Sequence, residues 1–243
     1  MDARSWIPYG RALLDFSRGK VAAKVIVHET EGRTRKMAMS TFFRKPAEFP
    51  TLEQTALNLC RGRVLDIGAG AGCHSLALQE RGFSVCAIDI SQDAVTVMKK
   101  RGVKDVYCAD IFDFQAGPFD TILMMMNGIG VVESLNDLGR FLDAVHSLIK
   151  PDGQILLDSS DVRRGSKKYR DTDSMIDSES GRYIGEVWFQ LEYKGQKGLP
   201  FWWLFVDSDT LTEQAVKSGW FCQVIYHEWD GHYLARLVPL GEE

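Results

Sequence analysis

What the sequence has little of narrows the field first. Its five cysteines (Cys60, Cys73, Cys86, Cys108 and Cys222) are odd in number, and none stands in a CxxC pair. That argues against a disulfide framework or a zinc site, leaves no metal expected, and points to a reducing, cytoplasmic compartment. Most of them read as small buried hydrophobes. Long apolar runs are missing too. The longest, "TILMMMNGIGVV", is short and broken by glycine, so no membrane span is expected. The opening "MDARSWIPYG" carries an early acid and no apolar core, unlike a signal peptide. There is no excess of positive charge. A net charge of −4 and a pI of about 5.8 speak against a bulk nucleic-acid binder and leave room only for a local basic patch. No internal repeat is found.

What is present is alternation. Residues 1–20 read as an irregular or helical lead-in. "AAKVIVHETEGRTRKMAMS" (22–40) reads as a hairpin around Glu31-Gly32. Thr51 followed by Gln54 has the form of a capping box for a helix over about 51–59. From residue 63 onward, short apolar runs alternate with amphipathic stretches. Strands are expected at 63–67, 84–90, 105–110, 119–126 and 154–160, and helices at 72–81, 92–101 and 134–149. This is the pattern of βαβ units building a parallel sheet covered on both faces. Beyond it, 161–181 is charged and serine-rich and reads as a long loop. A second hairpin turns at "KGQKG", a helix covers 210–218, and a last hairpin turns at Asp230-Gly231.

The chemistry starts at "VLDIGAGAG", a strand running into glycines at alternate positions: Asp66, Gly68, Gly70, Gly72. Glycine lets a ligand approach the backbone, and the following helix start offers free N–H groups. The spacing is not the G-x-G-x-x-G of a dinucleotide site, which makes a nicotinamide-dependent oxidoreductase a distant reading. A carboxylate two residues before the first glycine would repel a pyrophosphate and suit an ammonium group. Asp89, 21 residues after Gly68 in "AIDIS", stands where an acid accepts ribose hydroxyls. Asp110 in "CADIFDF" is placed to bond an adenine amino group, with Ile111 packed nearby. A ligand joining adenosine, carboxylate and ammonium is S-adenosylmethionine.

With these residues in view, the run from about 60 to 160 resembles a class I S-adenosylmethionine-dependent methyltransferase. "VLDIGAGAG", "AIDIS", "CADIFDF", "FDTILMMMNGIG" and "LIKPDGQILL" match its motifs in order. The resemblance implies an α/β, Rossmann-like three-layer αβα sandwich with a mostly parallel seven-stranded sheet, order 3-2-1-4-5-7-6, whose strand 7 is antiparallel. It further implies that Asp66, Gly68, Ala69, Gly70 and Gly72 surround the methionine part and that Asp89 holds the ribose. Ile90 and Ile111 would flank the adenine, Asp110 would meet its amino group, and Asn127 would stand where methionine tail and substrate meet. Arg44 in "FFRKP" is placed to pair with the methionine carboxylate. Residues 1–60 are expected to form an N-terminal extension of hairpin and helix. Residues 61–243 would be the methyltransferase domain, with a β insertion at 161–206 acting as a lid.

The acceptor is open. A compact lid favours a small molecule. An RNA or protein methyltransferase, or a non-catalytic S-adenosylmethionine/S-adenosylhomocysteine-binding protein, are the alternatives. "MMMNGIG" departs from the Asn-Pro-Pro-aromatic signature of base and amide methylation. Trp202 and Trp203 alternate on a strand, so one should face the core and the other is a candidate wall of the substrate cavity. "RRGSKKYR" (163–170) reads as a solvated loop, Met124 to Met126 as buried strand, and Cys73 as packing. If a general base is needed, His28, His74, His146, His227 and His232 are the choices, and sequence singles out none. The oligomeric state is not readable.

Overall fold

The computed structural model describes residues 1–165, 169, 172 and 174–241. The chain opens with a 3-10 turn and helix α1 (Ile7–Ser17), then a hairpin of β1 (Lys24–Glu29) and β2 (Thr34–Ala38). Helix α2 (Thr51–Leu59) leads into β3 (Arg63–Ile67), α3 (Cys73–Glu80), β4 (Ser84–Asp89), α4 (Gln92–Arg101) and β5 (Asp105–Cys108). Next come β6 (Phe119–Met124), α5 (Leu135–His146), β7 (Ile149–Ser160) and the single turn α6 (Val162–Gly165). Strands β8 (Glu186–Tyr193), β9 (Gln196–Lys197) and β10 (Phe201–Leu204) precede α7 (Ser208–Lys217), β11 (Trp220–His227) and β12 (His232–Pro239). Among the described residues, no helix is long and apolar enough to cross a membrane.

Seven strands form one sheet in the order β11-β12-β7-β6-β3-β4-β5. Five are parallel, and β12 runs antiparallel to both neighbours. This is the expected Rossmann-like sheet. It forms because its central strands are apolar on both faces, as a sheet covered twice requires. On β3, Leu65 and Ile67 pack with Phe141 and Leu142 of α5, while Val64 packs with Leu57 of α2 and Leu78 of α3. Helix α4 begins with the Ser91 hydroxyl accepting from the Ala94 N–H and stops at left-handed Gly102, the two ends the sequence marks.

Several boundaries differ from expectation. The residue preceding α2 is Pro50, whose side chain accepts nothing, and Thr51 already lies inside the first turn. Gln54 instead donates from Nε2 to the Phe49 carbonyl at 2.7 Å, so there is no capping box. Strand β7 starts at Ile149 rather than 154. Its pairing with β6 jumps from Phe119↔Ile149 to Thr121↔Gln154, so Pro151-Asp152-Gly153 is absorbed as an irregularity in the strand. The β5 ladder ends at Cys108 and the β6 ladder at Met124. Asp110 and Asn127 therefore sit just beyond strands rather than in them.

The larger surprise is a second sheet, β10-β8-β1-β2, with β9 paired to β8. The N-terminal hairpin and the segment after β7 do not stand apart. Val27 of β1 pairs with Leu191 of β8, and Glu29 with Phe189. The register matches apolar faces: Val25, Val27, Phe189, Leu191 and Phe201 share a core with Leu13 of α1 and Val97 of α4. A one-residue slip would turn those side chains out. Helix α1 is thus wedged between the second sheet and α4. The segment 161–181 contains α6, and its Ile176 forms an isolated bridge with Tyr183 just beyond it. Residues 166–168 and 170 of the basic run lie outside the described residues.

Candidate functional site

A cavity of about 710 Å³ lies between the carboxyl ends of β3, β4 and β6 and the inner face of the second sheet. Ligands bind at this edge in open α/β sheets. Asp66, Gly68, Ala69, Asp89, Ile90, Asp110, Ile111, Asn127, Arg44 and Trp203 all line it. Gly70, Gly72 and Trp202 do not.

The glycine loop explains itself locally. Gly68, Gly70 and Gly72 all have positive φ (68°, 59° and 77°), a region that side chains with a Cβ avoid. The N–H groups of Gly68 and Ala69 donate to the Ile88 carbonyl at 2.9 and 3.1 Å, which ties the loop to β4. The Gly70 N–H donates to Asp89 Oδ2 at 2.9 Å, and the Ser91 N–H to Oδ1 at 2.8 Å. Asp89 is therefore held from behind on both oxygens. Burial pushes its carboxyl up to about 6, against those two hydrogen bonds. Gly72 has a packing reason: a Cβ there would meet Val103 at 2.8 Å and Met98 at 3.0 Å.

Asp66 is buried and accepts from Ser75 Oγ at 2.5 Å. Burial raises its carboxyl, with nearby His74 opposing. Asp110 accepts from the Phe112 N–H at 3.1 Å and the Met1 amino group at 3.2 Å. Arg44 reaches the cavity but is not free. Its Nη2 donates to both oxygens of Glu53 at 2.8 and 3.0 Å, and its Nε donates to the Thr41 carbonyl. Glu53 also meets His74 Nε2 at 2.7 Å. Burial alone would lower His74, but Cys73, Glu53 and Asp66 outweigh it and hold the imidazole well above its ordinary value. Two cations thus share one carboxylate beside the glycine loop.

At the end of β6 the backbone is strained. Met126 and Asn127 are both left-handed, at φ 66° and 57°, which costs non-glycine residues about 1–2 kcal/mol each. Hydrogen bonds hold the bend. The Asn127 N–H donates to Asp158 Oδ1 at 2.9 Å, and Ser160 Oγ donates to Asn127 Oδ1 at 2.8 Å. Met124 and Met125 are buried as expected, and Met125 and Met126 line the cavity.

The opposite wall is aromatic. Phe189, Phe201, Trp203 and Phe205 from the later segment face the cavity there, and Trp6 and Tyr9 from the N-terminal helices line it too, Tyr9 beside Gly70. Trp202, one residue before Trp203, points outward beneath the Arg182 guanidinium, 4.1 Å away, as strand alternation requires. Trp6, Tyr9 and Glu53 were not singled out from sequence, because nothing local marks a lead-in helix as part of a site. His232 also lines the cavity, and its Nε2 lies 2.6 Å from Asp158 Oδ2. That pairing leaves no local signature, since it joins β7 to β12 across 74 residues.

A methyltransferase-domain family model matches residues 35–221. A solved S-adenosylmethionine-dependent methyltransferase from Bacteroides fragilis, in complex with S-adenosyl-L-homocysteine, is similar over nearly the whole chain. It shows 39% identity over 98% of this chain and 97% of that one, with a TM-score of 0.85. Curated relatives match over less. A putative methyltransferase from Bacillus subtilis strain 168 is 25% identical over 51% of this chain and 53% of its own length. A ubiquinone biosynthesis O-methyltransferase from Pseudomonas aeruginosa is 30% identical over 44% and 47%. The chain spans about half the length of these curated relatives.

Proposed function

The chain belongs to the class I S-adenosylmethionine-dependent methyltransferases, and from that membership we propose that it methylates a small acceptor with a flat, apolar body held between its two sheets. The observation that carries the reading is the aromatic inner face of the second sheet, set directly across the cavity from the glycine loop. A macromolecular acceptor calls for an open, basic groove, whereas this cavity is roofed by Phe189, Phe201 and Trp203. A cavity of this size, mostly apolar with a few convergent polar groups, is of the kind that takes small ligands.

The residues fit the methyl donor. Asp89, braced by Gly70 and Ser91, has lone pairs left for the two ribose hydroxyls. Asp66 offers a buried carboxylate to the ammonium group. Asp110 faces the adenine amino group, with Ile90 and Ile111 against the ring. Gly68 and Ala69 let the methionine part lie on the backbone, Asn127 stands at its sulfur end, and Arg44 with His74 supplies net positive charge for its carboxylate. Gly70 and Gly72 act from behind, by bracing Asp89 and by letting α3 approach α4. S-adenosylmethionine, when bound, supplies an electrophilic methyl group on a sulfonium. The protein's part is to align an acceptor with that methyl and exclude water, and alignment of this kind is worth about 7–11 kcal/mol. Residues 1–60 and 161–206 together form the lid, with Trp203 as acceptor wall. The five free cysteines, four of them buried, support a reducing, cytoplasmic setting.

Calorimetric titration with S-adenosylhomocysteine and NAD, followed by a screen of small aromatic acceptors with labelled S-adenosylmethionine, tests the reading. Binding of the first, none of the second, and label on a small acceptor are expected. Label only on RNA or protein would overturn the acceptor class, and no transfer to anything would leave a binding protein.

A further inference from the structure

We propose that His232, held by Asp158, is the proton acceptor of this methyltransferase and that the atom it methylates is a hydroxyl oxygen. The inference deepens the small-acceptor reading and rests on it. Asn127 follows β6, Asp158 and Ser160 end β7, and His232 begins β12, directly opposite Ser160. All stand at the carboxyl edge of the sheet, and Asn127 and His232 line the cavity. Asp158 is fully buried. One of its oxygens takes the Asn127 N–H at 2.9 Å and the other meets His232 Nε2 at 2.6 Å. A buried carboxylate on one ring nitrogen fixes the tautomer and leaves the other nitrogen with the lone pair. Here that nitrogen is Nδ1, 3.8 Å from Glu228 Oε2 at the hairpin turn. Asp158 therefore orients the ring and supports the imidazolium once formed, and Glu228 offers the proton a way out.

The other histidines do not share this position. His74 lines the cavity, but its Nε2 is bound to Glu53, whose other partner is Arg44. His28 pairs with Glu192, and His146 bonds the Ser218 carbonyl. His28, His146 and His227 do not line the cavity.

A base at this point selects the acceptor. A carboxylate has no proton to lose, and a neutral amine attacks with its lone pair and sheds its proton afterwards. A hydroxyl must lose its proton as it attacks. As the oxygen–carbon bond forms and the carbon–sulfur bond breaks, sulfur keeps its electron pair and leaves as S-adenosylhomocysteine. The hydroxyl proton passes to Nδ1. The charged groups facing the ring are Asp158 from β7 and Glu228 and Asp230 from the turn. Burial works to lower the imidazole, and these three carboxylates raise it further than burial lowers it.

The test compares wild type, His232→Gln and Asp158→Asn on two phenols, one protonated at assay pH (3,4-dihydroxybenzoate) and one already ionised (pentafluorophenol), with an aromatic amine and a thiol alongside. S-adenosylhomocysteine binding serves as the folding control. Loss of a general base is expected to cost about 10²- to 10⁴-fold on the protonated phenol and only a few-fold on the ionised one. The alkaline rise of the wild-type rate should move to lower pH in Asp158→Asn, and imidazole NMR of the free protein should show the His232 titration moving the same way. Equal losses on both phenols, or an unmoved titration in Asp158→Asn, would overturn the proposal. Turnover of the amine or thiol but of neither phenol would overturn it while leaving the small-acceptor reading standing. Turnover of none of the four would overturn both.

Discussion

The indole of Trp203 lies on the backbone of Gly130, so close that a Cβ on that glycine would fall within the ring. Gly130 sits in the 3-10 turn Gly128–Val132 after β6, and Trp203 is the inward residue of β10. This contact seats the second sheet on the methyltransferase core at the mouth of the cavity. Gly130→Ala is therefore expected to displace the sheet rather than the turn, since Trp203 moves with the aromatic cluster it joins, Trp6 at 5.5 Å and Phe201 at 6.2 Å. Overpacking of this kind costs about 1–3 kcal/mol. Thermal unfolding should show that loss, and the acceptor KM should rise while S-adenosylhomocysteine affinity changes little. An unchanged acceptor KM would detach Trp203 from the acceptor wall.

Asp89 ties cofactor affinity to pH. Its carboxyl, raised to about 6 by burial, is protonated in the folded, ligand-free protein at pH 5 and ionised at pH 7.5. Because the folded value lies above the unfolded one of 3.8, the folded state binds more protons between them. This group therefore makes the unliganded protein less stable as pH rises from about 4 to about 6. Ribose hydroxyls donate better to the ionised form, so S-adenosylhomocysteine affinity should rise over the upper part of the same window. Calorimetry at pH 5 and 7.5 checks the sign. Asp89→Ala should weaken binding by about 1–3 kcal/mol, the cost of leaving polar partners unpaired, and should flatten the pH dependence.

Glu53 is the hinge of the charge cluster. Removing it strands Arg44 and His74, which are largely buried at 16% and 6% exposure. Breaking a buried pair from one side costs about 3–5 kcal/mol, so Glu53→Ala should unfold at markedly lower denaturant. The pH signs differ within the cluster. Glu53 is held below its ordinary value, by His74 and Arg44 against burial, so its stabilisation is lost as pH falls through that lowered value. His74 is held above its ordinary value, so its share is present below about 6.5 and lost as pH rises through the raised value. Denaturation curves across pH should show both flanks in the wild type, whereas the variant should lose the acid flank and keep a reduced basic one, since Cys73 and Asp66 still face His74.

The methyltransferase core was legible because its signals are local. Apolar strands such as 63–67 and 84–89, the glycine loop and the Gly102 stop each lie within a few residues of what they determine. The second sheet was half legible. Each hairpin announced itself by alternation and a turn, but the pairing of Val27 with Leu191 joins segments 164 residues apart, and nothing in either segment names its partner. Separation in sequence, here 74 residues, likewise hid Asp158 from His232. The loop residues Gly70 and Gly72 were found for the right conformation, yet they work behind the cavity, since backbone freedom does not say which side a ligand takes. Pro50 displaced the expected cap because the chain enters α2 through its ring.

Tyr9 carries the last prediction. Its ring packs edge-on against Trp6 and Phe42 at 5.5 and 5.1 Å, and a Cβ on Gly70 would stand 2.6 Å from its hydroxyl. Burial, with Asp89 and Cys73 nearby, raises the phenol well above its ordinary value, so it stays a donor at every pH the protein tolerates. The side chain lines the cavity on the glycine-loop side, where an acceptor from the methionine part would meet it. Tyr9→Phe keeps the aromatic packing and removes only the O–H. The expected result is an unchanged melting temperature and a loss of about 0.5–1.5 kcal/mol in S-adenosylhomocysteine affinity, the net worth of one hydrogen bond. A melting temperature that falls while affinity holds would make the hydroxyl a structural group of the α1 wedge instead.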